Sequence, residues 1–311
     1  MKKLCLSLLL LVLLCGCVYL SGELLRPTDP DGCIAQINSF HSLPENSVDV
    51  IAYGSSRCWR GFSPAAFQEE YAVTCYNYAC NWQLLNTTWL FFNDSLLTQT
   101  PKVALIETGF VGTMKMEYDM DGELYYTRAL AWTDCKREYL RQCFGTEEAR
   151  YERYLSYFVP LVFDHANWEA LSADSFRLDP GTMDFKETLG FVPSENVTPV
   201  TVTCAEEKLP PEESEAILDD IVRTCRERGI ALVFYTAPYE GGYAYTAFME
   251  EYAAENGCQY LGMFDIMEGA GLDAQTDFSD AGHLNTSGSV KLTHYLGDFL
   301  LEQGLMPEPT L

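Results

Sequence analysis

The sequence is poor in positive charge. It has 20 lysine and arginine residues against 45 aspartate and glutamate residues, which gives a formal net charge of -25 at pH 7. Such a charge repels polyanions, so the composition argues against binding to DNA or RNA. The chain also lacks internal repeats and long linkers rich in proline, glycine or serine. Because 48% of its 311 residues are hydrophobic, it can form a large packed core, and disordered, collagen-like and low-complexity classes are excluded.

The spacing Cys-x-x-Cys is absent as well, although the sequence contains 12 cysteines. Structural zinc sites and thioredoxin-type redox pairs need such closely spaced cysteines. The cysteines therefore give no support to a metal site or a redox centre.

The N-terminus has the pattern of an export or anchoring segment. Lys2 and Lys3 precede an apolar run over residues 4–20. One interpretation is a bacterial lipoprotein signal, in which Cys17 would be the lipidated residue. Another is an uncleaved membrane anchor, which needs about 17 or more apolar residues, and a released protein is the third. All three place the rest of the chain outside the cytoplasm, because the two lysines favour a cytoplasmic N-terminus.

Beyond the leader at residues 1–25, strand and helix patterns alternate. Short apolar runs fit buried parallel strands at residues 48–53, 103–106 and 230–235. Amphipathic stretches predict helices over residues 212–228 and 287–302. Strands separated by helices predict a three-layer α/β/α fold with a flavodoxin-like parallel sheet.

We expect residues 26–311 to form one domain with an insertion. Residues 112–203 break the alternation of strands and helices and are rich in aromatic side chains. They are predicted to form a cap beside the sheet. In doubly wound sheets ligands bind beyond the carboxyl ends of the strands, so the loops that follow the strands are expected to carry the chemistry.

Two loops carry the residue types of a serine-based catalytic site. The first predicted strand is followed by Gly54, Ser55 and Ser56, where glycine allows a sharp turn and a hydroxyl is exposed at a helix N-terminus. Asp280 precedes His283 by three residues, just before the last helix. From that spacing the carboxylate can fold back onto the imidazole and orient it. We expect the two loops to meet at one pocket.

This pair of motifs resembles the SGNH/GDSL hydrolase superfamily, whose first block ends in Gly-Asp-Ser and whose last block is Asp-x-x-His. It looks most like the extracytoplasmic branch that includes DltD-like proteins and AlgX- or AlgJ-like polysaccharide O-acetyltransferases. The resemblance implies that Ser56 is the nucleophile, His283 the general base and Asp280 the carboxylate that orients it. It also implies that no metal or organic cofactor is required.

The segments expected to stabilise an oxyanion depart from that superfamily. Its second-block glycine is replaced by Ala79, and no Gly-x-Asn block follows the strand that ends near residue 107. The backbone amides of Ser56 and Ala79 are candidate donors, and the side chain of Gln83 or Asn81 could replace the missing asparagine. Losing one oxyanion donor typically lowers the rate by about 10² to 10³.

The resemblance implies an exported, membrane-tethered serine O-acyl esterase or O-acyltransferase that acts on acyl groups of cell-wall or extracellular polysaccharide. Arg57 and His165 are candidates for the substrate pocket, although Arg57 could pair with a surface acid and His165 could be structural. The expected partners are an acylated carbohydrate or small ester, the membrane through the N-terminus, and a membrane acyltransferase. The alternative is a non-catalytic binding or assembly protein of a membrane acyl-transfer system, which the altered second and third blocks favour.

Overall fold

A computed structural model describes the chain over residues 2–25, 32–112, 127–143, 155, 157–159, 161–171, 185–203, 206–241 and 243–310. The chain folds as two compact units. The first unit comprises Met1–Ala35 and Met116–Met183, and the second comprises Gln36–Lys115 and Asp184–Leu311.

The first unit contains the N-terminal helix α1, Lys2–Leu24. This helix has 23 residues, and its most apolar 18-residue window has a mean hydropathy of 2.6 and is not buried, so the helix is long and apolar enough to be a signal anchor or to cross a membrane. Helix α2 (Cys33–His41) spans the boundary between the two units. The other described helices of the first unit are α6 (Asp134–Cys143), α7 (Leu161–Asp164) and a 3₁₀ helix (His165–Ala170).

The second unit is built on a parallel sheet of five strands in the order β2-β1-β3-β5-β7. The first three strands are buried throughout, as expected for a sheet covered on both faces. The five strands are β1 (Val50–Tyr53), β2 (Cys75–Asn77), β3 (Val103–Glu107), β5 (Ala231–Tyr235) and β7 (Gln259–Leu261). The short strands β4 (Glu206–Glu207) and β6 (Tyr243–Ala244) pair in parallel, and β8 (Phe278–Asp280) pairs with β9 (His283–Leu284) in an antiparallel hairpin.

Helices flank this sheet, which confirms the predicted three-layer α/β/α class. They are α3 (Ser56–Trp59), α4 (Pro64–Tyr71), α5 (Leu85–Ser95), α8 (Phe185–Thr188), α9 (Glu212–Arg228), α10 (Thr246–Glu255), α11 (Met263–Gly269) and α12 (Thr286–Glu302). Helix α9 has the bounds that its pattern predicts, because Leu218, Ile221 and Cys225 share a buried face and Gly229 ends the helix in the left-handed conformation.

The segment before α12 is tied to the last part of the predicted insertion. Residues 185–203, which lie within the predicted insertion, belong to the second unit. The amide of Thr198 donates to the carbonyl of Phe278 at 2.8 Å, and the amide of Thr286 donates to the carbonyl of Ser194 at 2.8 Å. These hydrogen bonds fix the approach to the hairpin that carries Asp280 and His283.

Candidate active site

The loop after β1 presents Ser56 at the carboxyl edge of the sheet. Gly54 has a φ of 146°, and a Cβ atom at this position would lie 2.7 Å from the Cβ of Glu107, so only glycine fits. Ser55 is the N-cap of α3, and its hydroxyl accepts a hydrogen bond from the amide of Arg57 at 3.3 Å. Ser56 follows as the first residue of α3 and is 8% exposed.

The hairpin of β8 and β9 presents the acid and the imidazole. Asp280 pairs with His283 across the hairpin, and the amide of Gly282 donates to Asp280 Oδ1 at 2.8 Å. The amide of Glu240, in the loop after β5, donates to the carbonyl of Ala281 at 2.7 Å. The tip of the hairpin is therefore stabilised by one hydrogen bond within the turn and by one from the loop after β5.

The two loops meet, although Ser56 and His283 are 227 positions apart in the chain. Ser56 Oγ lies 2.7 Å from His283 Nε2, and His283 Nδ1 lies 2.8 Å from Asp280 Oδ1. Because Asp280 accepts the proton on Nδ1, Nε2 carries the lone pair and can accept the proton of the hydroxyl. This is the order of contacts that general-base activation of a serine requires.

The charges around the imidazole favour its neutral form. Burial lowers the pKa of His283 below the ordinary 6.5, and Arg60 and Arg57 lower it further, against the opposing effect of Asp280. Burial alone would raise the pKa of Asp280, but the Gly282 amide and His283 outweigh burial and hold this pKa below its usual value. At neutral pH the pair therefore consists of an ionised carboxylate and a neutral base.

Glu107 supports the nucleophile loop and was not predicted from the sequence. It ends β3 and is 5% exposed. Its Oε1 accepts from the Gly109 amide at 2.8 Å, and its Oε2 accepts from Ser55 Oγ at 3.1 Å. Burial raises the pKa of Glu107 above its ordinary value, although Arg57 and these donors favour the charged form. A charged residue that closes an apolar strand is the sequence signal that could have identified it.

The predicted oxyanion donor Ala79 is engaged by a neighbouring side chain. Asn77, at the end of β2, is fully buried and accepts from the Ala79 amide at 3.2 Å. The Asn77 side chain also donates to the carbonyls of Cys58 and Phe62, each at 2.8 Å. Asn77 therefore ties this loop to the helix of Ser56, and an oxyanion would compete with its carbonyl for the Ala79 amide.

Gln83 and Asn81 lie in the loop between β2 and α5. Gln83 is 1% exposed, and neither polar atom of its side-chain amide has a hydrogen-bond partner among the described residues. Asn81 is half-buried. Trp82 stands between them at a φ of 55°, with 59% of its surface exposed. A buried amide that lacks a protein partner is unusual in a native fold, and the role of Gln83 as an oxyanion donor stays a prediction.

The other predicted residues fall in different environments. Arg57 lies on α3 beside Ser56, and its guanidinium packs on aromatic rings. His165 belongs to the first unit, is exposed, and its Nδ1 lies 3.0 Å from the carbonyl of Val162. Cys17 is an exposed residue of α1. The pocket role of His165 and the lipidation of Cys17 stay predictions.

Within the described ranges no three His, Cys, Asp or Glu side chains are grouped so that they could hold a metal ion. Neither a protein-family model nor a curated protein sequence matches this chain.

Proposed function

We propose that this protein is a membrane-tethered serine O-acyl esterase or O-acyltransferase of the SGNH type, acting on acyl groups of cell-wall or extracellular polysaccharide. The observation that carries the proposal is the contact of Ser56 Oγ with His283 Nε2 at 2.7 Å. Asp280 completes the array at 2.8 Å from His283 Nδ1. Three side chains in this order activate a hydroxyl for attack on a carbonyl.

The proposed reaction has two acyl-transfer steps. Ser56 Oγ attacks the ester carbonyl carbon while its proton passes to His283 Nε2. When the tetrahedral intermediate collapses, the leaving alcohol oxygen takes that proton and the acyl group stays on Ser56. Water, or a sugar hydroxyl in a transferase, then attacks the acyl-enzyme and gives its proton to His283. The bond between the acyl carbon and Ser56 Oγ breaks, and Oγ takes the proton back from the imidazolium. Asp280 holds the ring orientation and stabilises the imidazolium in both steps.

The negative charge that develops on the carbonyl oxygen of the ester would need hydrogen-bond donors. Ser56 is the first residue of α3, so its amide has no carbonyl partner within that helix. The Ala79 amide could exchange Asn77 for the substrate oxygen, and the buried side chain of Gln83 supplies the third candidate. Of these three candidates, Gln83 donates through a side chain, so a substitution of this residue tests its role directly.

Hydrolysis of p-nitrophenyl acetate by the wild type and Ser56→Ala tests the proposal. We expect the variant to lose at least about 10³-fold in kcat/KM, because a triad without its nucleophile keeps only residual catalysis. Ser63→Ala is the matched control, since Ser63 caps α4 and its loss costs stability of about 1 kcal/mol without touching His283. Equal rates for the wild type and Ser56→Ala would contradict an esterase.

A second candidate is a non-catalytic binding or assembly protein of a membrane acyl-transfer system. The engagement of the Ala79 amide by Asn77 favours it, because an oxyanion donor is then already occupied. It predicts equal rates for the wild type and Ser56→Ala together with binding to a membrane acyltransferase, which co-purification from membranes would detect.

Helix α1 supports attachment to the membrane, and we propose that the second unit lies on the extracytoplasmic side. Lys2 and Lys3 on the cytoplasmic side would set that orientation. Lipidation at Cys17 and an uncleaved anchor are distinguished by Cys17→Ala. A lipoprotein loses metabolic labelling with palmitate in this variant, whereas an anchored protein is never labelled at this residue and stays in the membrane fraction.

A further inference from the structure

The guanidinium of Arg57 is held between two aromatic rings at the carboxyl edge of the sheet. Its Cζ lies 3.5 Å from the centre of the Tyr239 ring and 4.5 Å from the centre of the Phe110 ring. Phe110 follows β3 and Tyr239 follows β5, so both rings belong to loops of the catalytic edge. Cation–π attraction explains why the group is fixed there, but the rings do not accept its in-plane hydrogen bonds.

One nitrogen of the Arg57 guanidinium lacks an acceptor among the described residues. Its Nη1 is buried and has no hydrogen-bond partner among the residues that the structure describes. Glu107 is close enough to interact with it electrostatically, but the two oxygens of that carboxylate accept from Gly109 and Ser55. A guanidinium has five N–H donors, and burying one of them without an acceptor is costly. Such a group is suited to a ligand that brings its own acceptor.

A second arginine lies near the proposed catalytic residues. Arg60 follows Arg57 by one helical turn, and its Nε is also buried without a partner among the described residues. Both arginines lower the pKa of His283 and Asp280 raises it, so cationic and anionic side chains both act on the proposed base.

We propose that Arg57 binds an anionic group of the substrate, so that the ester accepted by this protein carries a carboxylate or similar anion near the acyl bond. A planar carboxylate fits the fork of a guanidinium, and Arg57 directly follows the nucleophile in the chain. The acidic surface disfavours a polyanion, so a substrate with a single anionic group is the best match. This inference rests on the proposed function and specifies its substrate class.

Two esters of equal shape test it. 4-Acetoxybenzoate carries a carboxylate and 4-acetoxybenzamide is its neutral counterpart, and the rate of each is divided by its rate of hydrolysis by hydroxide. For the wild type we expect kcat/KM to favour the anionic ester by about 10- to 100-fold, as a charge-assisted hydrogen bond implies. Arg57→Met should bring this ratio to about one. Arg223→Met, which removes an exposed arginine of α9, should leave the ratio at its wild-type value.

Arg57→Lys is the second variant and covers the case in which Arg57→Met does not fold. Lysine keeps the charge and loses the planar fork, so we expect a ratio between those of the wild type and one. A wild-type ratio of one, with turnover that depends on Ser56, would overturn the anion site and leave the esterase intact. The anion site would also be overturned if the ratio of the wild type were retained in folded Arg57→Met or, where that variant does not fold, in Arg57→Lys.

If the wild type hydrolyses neither of these esters and shows no Ser56-dependent turnover of p-nitrophenyl acetate, the proposed function is wrong and binding decides the inference. Benzoate is then the probe, and its line broadening in NMR spectra reports contact with the protein. Broadening by the wild type that is weakened in Arg57→Lys supports an anion site in a binding protein. Equal broadening by both proteins, or none, overturns the inference.

Discussion

At Ser56 each polar atom that proton transfer requires has its partner, whereas at Gln83 both polar atoms of a buried side chain lack one among the residues that the structure describes. The first region is stabilised by contacts within the protein, from Oγ through the imidazole to Asp280. The second region holds an unmatched amide beside an alanine whose own amide is donated to Asn77. The three side chains proposed for proton transfer are therefore already in hydrogen-bond contact, whereas the proposed oxyanion donors are either engaged elsewhere, as at Ala79, or without a partner among the described residues, as at Gln83.

The largest effect on the rate is expected from Asp280→Asn, which tests the proton-transfer side chains. The asparagine cannot hold the same tautomer of His283, so kcat/KM should fall by up to about 10⁴-fold with little change in the fold. Asp273→Asn, an exposed acid of the preceding loop, is the control and should keep the wild-type rate. Steady-state kinetics on p-nitrophenyl acetate measures both. A loss of less than about tenfold in Asp280→Asn would show that the 2.8 Å contact is not used in catalysis.

Gln83→Leu tests the other half of the comparison. If Gln83 donates to the oxyanion, kcat should fall by about 10² to 10³, while the melting temperature should not decrease because no hydrogen bond is lost.

Gln99→Leu is the matched control for that variant. Gln99 is an equally buried amide, but its Oε1 accepts from the amides of Ser47 and Val48 and its Nε2 donates to the carbonyl of Pro44. It should lose stability and keep its activity per folded molecule. An unchanged rate in Gln83→Leu would remove Gln83 from the oxyanion site.

The smallest effect is expected in the pH dependence of kcat/KM at acid pH, which reports the pKa of His283. The neutral imidazole is the reactive form, so kcat/KM should be constant at neutral pH and fall about tenfold per pH unit below the pKa of His283. Because burial and the two arginines lower that pKa, the midpoint should lie below pH 6.5. Arg60→Met removes one of the lowering charges and should move the midpoint to higher pH. A midpoint above 6.5 in the wild type would contradict the assigned environment.

The parallel sheet and the spacing of the triad could be predicted from the sequence because their signals are local. Apolar runs identify β1, β3 and β5, and three positions separate Asp280 from His283. The partners of Arg57 could not be predicted, because Phe110 and Tyr239 approach it only after the carboxyl ends of β3 and β5 are aligned.

The hydrogen bond from the Ala79 amide to Asn77 could not be predicted for a similar reason. Its amide is taken by Asn77 only two residues earlier, yet that side chain is turned to this position by carbonyls of Cys58 and Phe62 on the nucleophile segment. An alignment of motifs finds the position of a donor, whereas the tertiary structure decides whether the donor is available.

The proposal that Ser56 is an activated nucleophile is tested most directly by intact-protein mass spectrometry after reaction with a fluorophosphonate probe. The account predicts one covalent adduct per folded molecule, mapped to Ser56 by peptide analysis, with labelling slowed in His283→Gln because the hydroxyl loses its base. A folded wild-type protein that forms no adduct, or one that is modified at a residue other than Ser56, would contradict it.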